Sequence, residues 1–181
     1  MVTIMARNRK SYIICGVALV LITAAAFVYF SGMIGISADY IERDARASQR
    51  INGSWEVATS ASERTIAMLF YDGMQDESKH TFSIYAKHPG LSFGYFFRAG
   101  GSASIIRDGI YVYLLPDDGE TTLLSMNKDN VARIEIDDGI IKTHIDVDPS
   151  KPFAVVLPVN SDFDFDTIRI LDMEGNAVSW Y

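Results

Sequence analysis

Hydrophobic and polar positions change their period twice along the chain. Tyr12 to Ile36 is an unbroken uncharged run of 25 residues, preceded by Arg7, Arg9 and Lys10. At 1.5 Å per residue, a helix of that length reaches roughly 37 Å, enough to cross a hydrocarbon core of about 30 Å. Ser37–Gln49 has no Gly or Pro, and it places Asp39 and Arg43, and Glu42 and Arg46, at i,i+4 spacing. That pattern predicts a second helix continuing the anchor as a stalk. Asn52-Gly53 then breaks it and marks a domain boundary.

From Trp55 onward the period falls to two. Trp55–Thr59, Arg64–Tyr71, Thr81–Lys87 and Leu91–Arg98 read as strands, separated by Asp72-Gly73 and His88-Pro89-Gly90. Ala99–Ser102 reads as a loop. Ile105–Arg107 and Ile110–Leu114 flank Asp108-Gly109, the signature of a two-residue hairpin. Pro116–Gly119 leads into Thr121–Met126. Asp138-Gly139 predicts a second hairpin in which Ile136 faces Ile141, Glu135 faces Lys142, Ile134 faces Thr143 and Arg133 faces His144. One face then carries Ala132, Ile134, Ile136, Ile141, Ile145 and Val147. The other carries Arg133, Glu135, Lys142, His144, Asp146 and Asp148. Pro152–Val159 reads as an edge or irregular strand because of its prolines. Thr167–Asp172, a Met-Glu-Gly-Asn turn and Ala177–Tyr181 close the chain.

About ten short strands at this spacing predict a mainly β fold: one N-terminal transmembrane helix, then an antiparallel β-sandwich, with a partly open barrel as the alternative. The expected divisions are a short basic tail at 1–11, a signal anchor at 12–36, a juxtamembrane helix at 37–50 and the β domain at 51–181.

The apolar run has a rival reading as a secretory signal cleaved near Ala24-Ala25-Ala26, which would release the remainder. Against it, Phe27–Phe30 and Met33–Ile36 stay apolar where a polar region should begin. Basic residues before the run and mixed charge after it place the N-terminus in the cytoplasm and the rest outside. Ser37–Tyr181 holds all 23 acidic residues and 13 of the 16 basic ones, a formal charge of −10. This acidity argues against a nucleic-acid partner. Cys15, the single cysteine, lies within the apolar run, so the outer part has no disulfides. That fits a bacterial cell envelope better than a eukaryotic secreted domain.

Candidate chemistry is sparse. If extended, Asp162, Asp164 and Asp166 place three carboxylates on one face, with Asp146 and Asp148 as added oxygen donors for Ca²⁺. The spacing is not that of an EF-hand, and carboxylates keeping a loop solvated is the plainer reading. His80, His88 and His144 have no metal-ligand spacing. Gly101-Ser102-Ala103-Ser104 matches no nucleophile motif and reads as a flexible loop. Tyr95, Tyr111 and Tyr113 suggest an aromatic platform for a sugar or a protein, or equally a packed core. Ala24–Ala26, Gly32 and Gly35 offer small positions for helix packing. The Asn52-Gly53-Ser54 sequon has meaning only in a glycosylating source.

No catalytic residue, metal site or cofactor is singled out. The expected function is a non-enzymatic binding or assembly module at the cell membrane, its partner an envelope protein or glycan. The alternatives are an envelope-polymer hydrolase using Asp and Glu, and a structural subunit of a membrane complex.

Overall fold

The computed structural model of the chain describes residues 2–30, 32–73, 79–90, 92–115, 119–137, 142–158 and 165–179. The apolar run forms α1, Val2–Phe30, and the basic residues ahead of it belong to the same helix. Tyr12–Tyr29 is long and apolar enough to cross a membrane or to act as a signal sequence, and none of it is buried against the rest of the chain. The helix stops short of Ile36. Gly32 adopts φ +68°, the left-handed conformation that commonly ends helices. Met33–Ile36 continue as extended backbone.

The second predicted helix forms as α2, Ala38–Ser48, but it is not a stalk. Its apolar stripe is narrow, and Ile41 and Ala45 are fully buried. They pack on Ile66, Met68, Phe70 and Tyr85 of the sheet beneath. Asn52 and Gly53 lie at the turn from this helix into the first strand.

Three antiparallel sheets follow, and no barrel closes among the described residues. The first is the meander β1 (Glu56–Ala61), β2 (Thr65–Tyr71), β3 (His80–Ala86) and β4 (Phe96–Gly101), in that order. The second has the order β5 (Tyr111–Leu115), β6 (Glu120–Ser125), β9 (Phe153–Leu157). The third is ordered β10 (Ile168–Asp172), β7 (Val131–Asp137), β8 (Lys142–Asp146). The layers run α2, first sheet, second sheet, third sheet. Leu69, Ile84, Leu124 and Val156 meet between the first two sheets. Leu123, Val155, Ile134 and Ile170 meet between the second and third.

This layering explains the pattern of burial. β2, β6 and β9 are covered on both faces and are buried along their whole length. Their sequences accordingly lack clean alternation. β7 is covered on one face and alternates, while β8 is largely exposed. β9 is an edge strand, as its prolines predict. Its Val156 N–H is capped by Ser60 Oγ of β1 at 3.0 Å, which ties the two sheets at one corner.

Three expectations are corrected. Ser104–Asp108 forms the short helix α3, and Gly109 is extended at φ −172°, so the Asp108-Gly109 hairpin does not exist. One helical turn carries Ile106 into the core, and its carbonyl accepts from the Met126 N–H at 2.8 Å. Ala99–Gly101 belongs to β4 rather than a loop. A Cβ on Gly100 would stand 2.6 Å from Gln49 Nε2 and 2.8 Å from the Phe82 carbonyl, so this glycine serves a close crossing between α2 and the sheet. The β7–β8 ladder is displaced by two residues from the predicted register: Glu135 faces His144, Ile134 faces Ile145 and Arg133 faces Asp146. A two-residue shift leaves every side chain on its predicted face. The observed register places Arg133 Nε 2.8 Å from Asp146 Oδ1 and Ile134 against Ile145. The Asp138-Gly139 turn and Ile141 lie outside the described residues.

Two buried polar groups hold the layers. Tyr85, fully buried, donates to Asp44 Oδ2 at 2.7 Å, linking the sheet to α2. Burial, then this carboxylate, pushes the Tyr85 hydroxyl pKa up, and burial raises Tyr71 and Tyr111 as well. A pKa raised in the folded state favours the neutral tyrosine there. Its contribution is complete below the unfolded value near 10 and is lost as pH rises beyond it. Denaturant midpoints measured from pH 8 to 12 should therefore fall above about pH 10. Tyr85→Phe should lower stability at neutral pH by about 1.5 kcal/mol and flatten that alkaline decline.

Asn127 is the second such group. At φ +59° it occupies the left-handed region that asparagine tolerates. Its Nδ2 donates to the carbonyls of Val131, Asp148 and Lys151 at 3.0–3.1 Å, and its Oδ1 accepts the Val131 N–H at 2.7 Å. Asn127→Ala leaves these buried groups unpaired. The expected loss is about 3 kcal/mol by chemical denaturation, without change in the α1 helix signal.

Candidate functional site: the joint between the apolar helix and the sheets

Two isolated backbone bridges lie where the apolar run ends. Met33–Ile36 crosses Phe93–Tyr95, the segment leading into β4. Ile34 bridges Phe93 in parallel and Ile36 bridges Tyr95 in antiparallel sense. Four backbone hydrogen bonds close the crossing: Phe93 N–H to Met33 at 2.8 Å, Gly35 N–H to Phe93 at 2.6 Å, and the reciprocal pair between Ile36 and Tyr95 at 2.8 Å each. The change of direction between the two bridges occurs at Gly94, which has φ +98°.

Both glycines at the crossing are required by space. A Cβ on Gly94 would lie 2.7 Å from the Ile36 carbonyl oxygen, and one on Gly35 would lie 2.5 Å from that of Tyr95. Backbone atoms cannot yield as a flexible side chain can. The apolar helix is thus joined to the sheets by two consecutive bridges rather than by a free linker.

Around the joint, apolar and cationic groups alternate. Ile34 and Phe93 are exposed beside each other, and Tyr40 is exposed in the first turn of α2. Arg43 stands 4.6 Å over the Tyr40 ring and Lys87 Nζ 5.2 Å over the Tyr95 ring. Arg98 donates to the Lys87 carbonyl at 3.2 Å, and His88 packs on Phe96 with ring centres 4.0 Å apart.

The residues singled out by sequence do not converge. Tyr95 packs toward α2 on one face of the first sheet. Tyr111 and Tyr113 pack on the other, Tyr111 with its ring centre 5.1 Å from that of Phe82. They form no platform. Asp166 is exposed in the 3₁₀ turn Phe165–Thr167, whereas Asp162 and Asp164 lie outside the described residues. Asp146 pairs with Arg133. Asp148 accepts from Ser150, which holds its carboxyl below the usual range. Among the described residues no group of three His, Cys, Asp or Glu could hold a metal ion.

His80 is buried with Nε2 3.0 Å from the Ala103 carbonyl oxygen, far from the exposed His144 on β8. Ser102 Oγ donates to the His80 carbonyl, so the segment read as a flexible loop is held in place. Gly32 and Gly35 lie beyond α1, so the small-residue stripe is shorter than the sequence suggested.

Among the described residues the sheets carry shallow depressions. One of about 160 Å³ on the outer face of the third sheet is lined by Glu135, Asp137, Lys142, His144 and Arg169. This is below the roughly 300–1,000 Å³ of small-molecule sites. Its charges compensate one another: Lys142 Nζ is 2.7 Å from Asp137 Oδ2, and Arg169 faces Glu135 across the ladder. A wider hollow of about 470 Å³ lies between α2 and β3. Several of its polar side chains already have partners within the chain. Gln49 bonds Thr81 and the Phe82 carbonyl, Lys79 pairs with Asp72, and His80 meets Ala103.

The sequence carries one local signal for the joint. Glycine inside an aromatic strand-like run, as in Phe93-Gly94-Tyr95, marks a close backbone approach. The approaching partner, Gly35, stands 59 positions away in the apolar run. No protein-family model, no curated protein and no solved structure matches the chain.

Proposed function

We propose that this protein is a single-pass, membrane-anchored β module that works outside the cytoplasm as a non-enzymatic binding or assembly component of the cell envelope. The observation that carries this reading is the joint. An apolar helix with no buried face is tied to a layered β fold by four backbone hydrogen bonds within six residues of its end. Phe27–Phe30 and Met33–Ile36 stay apolar where the polar region of a signal should begin, which favours a retained anchor, and the joint then holds that anchor on the β layers. The N-terminus lies inside, following the basic residues before the span. The partner is an envelope protein or glycan, held by the exposed outer faces of the sheets.

Crosslinking and affinity capture of the full-length tagged protein from its own membranes tests the module. The expected result is a reproducible envelope partner whose crosslinks map to the sheets. Crosslinks confined to α1 would instead make the protein a helix-assembled subunit. Cleavage of an envelope polymer by the purified protein would overturn the non-enzymatic reading.

A further inference from the structure

We infer that the bridged pair Ile34 and Phe93, with Tyr40 in the first turn of α2, rests in the lipid headgroup–acyl boundary, so that the β layers sit against the bilayer surface instead of standing away from it. The inference rests on the anchor reading above and adds the orientation of the outer layers. Ile34 lies four positions beyond Phe30, the last residue of α1. The extended reach of that stretch is at most about 14 Å. The bridge from Ile34 to Phe93 allows no slack beyond that. If α1 spans the membrane, Ile34 and Phe93 must lie within one interfacial thickness of the hydrocarbon.

The side chains found there suit that place. Ile34 is 54% exposed, Phe93 51% and Tyr40 52%, although the layers behind them bury apolar groups thoroughly. Tyrosine at the headgroup level, with Arg43 beside its ring, follows the interfacial preference of amphipathic aromatic and basic side chains. Lys87, over the Tyr95 ring, and Arg98, bonded to the Lys87 carbonyl, put two cations beside the same joint, whereas the outer part of the chain as a whole is acidic. Asp39 and Glu42 also lie on the first turns of α2, so burial of apolar side chains drives the contact more than net charge does.

The test uses the full chain in phosphatidylcholine–phosphatidylglycerol vesicles. Environment-sensitive fluorophores are placed at Phe93→Cys, at Tyr40→Cys and at the distant His144→Cys, each in a Cys15→Ser background. The native Cys15, labelled separately, reports whether α1 is inserted. With Cys15 buried, quenching by headgroup-level nitroxide lipids should be about threefold stronger at positions 93 and 40 than at 144. Equal water exposure at 93, 40 and 144 with Cys15 still buried overturns the inference and leaves the anchor standing. A water-exposed Cys15 overturns both. Should Phe93→Cys fail to fold by circular dichroism, position 40, outside the joint, carries the same comparison alone.

Discussion

Gly94→Val is expected to open the joint while the sheets remain folded. The native φ of +98° is strained for any side chain, and a β-branched one adds crowding. The new Cβ would stand 2.7 Å from the Ile36 carbonyl oxygen and 2.8 Å from the Gly35 carbonyl carbon. Relief requires Met33–Ile36 to move away, which breaks the four hydrogen bonds of the crossing. Strain together with those lost bonds comes to about 4 kcal/mol. Hydrogen exchange at the Gly35, Ile36 and Tyr95 amides should accelerate on the order of a thousandfold, since each 1.4 kcal/mol is a factor of ten. Amides of β2 and β6, buried between layers, should keep their protection. Gly53→Ala, where a Cβ meets nothing within 4 Å, is the control and should change neither. Uniform acceleration across the sheets would mean that the crossing belongs to the core and is not a separable joint.

The second large effect concerns the span. Val20→Arg combined with Ala24→Arg places two charges one helical turn apart near the middle of Tyr12–Tyr29. Each costs about 3 kcal/mol at the centre of a membrane helix, so about 6 kcal/mol is lost and insertion should fail. None of the span is buried against the sheets, so the β fold should be unaffected. The expected outcome is transfer of the protein from the carbonate-resistant membrane pellet to the supernatant, with its strand signal in circular dichroism unchanged. Val20→Leu should stay in the pellet. A doubly substituted chain that remains in the pellet would show that something other than α1 holds it there.

The elements written in local pattern were legible from sequence. The apolar run, the alternation of β7, the edge character of β9 and the mainly β class all follow from periodicity and turn residues. What stayed hidden depended on distant partners. α2 read as a stalk because its polar residues dominate, yet Ile41 and Ala45 suffice to seat it on Met68 and Phe70. Gly100 read as loop because the Gln49 side chain that crosses it is remote in sequence. Asp108-Gly109 has the chemistry of a hairpin turn, and β5 keeps one open edge in its sheet. The preceding residues instead form α3, which buries Ile106 against the core between the first two sheets, a contact with remote partners that no local pattern names. The β7–β8 register failed for another reason. A period of two fixes the face but not the partner, and the pairing of Arg133 with Asp146 goes with the longer loop. At the joint, one glycine advertised a close approach, and nothing local named the other.

The most direct test of the anchored, outward-facing arrangement is labelling of intact cells with a membrane-impermeant thiol reagent, using full-length protein carrying Lys142→Cys. Lys142 lies on the exposed β8, with its side chain 82% accessible. Cys15, on α1, is native to the chain and serves as the internal reference. Residue 142 should be labelled without permeabilisation, Cys15 should not, and the labelled protein should stay with carbonate-washed membranes. Labelling of residue 142 only after the cells are opened, or recovery of the protein in the wash, would contradict that arrangement.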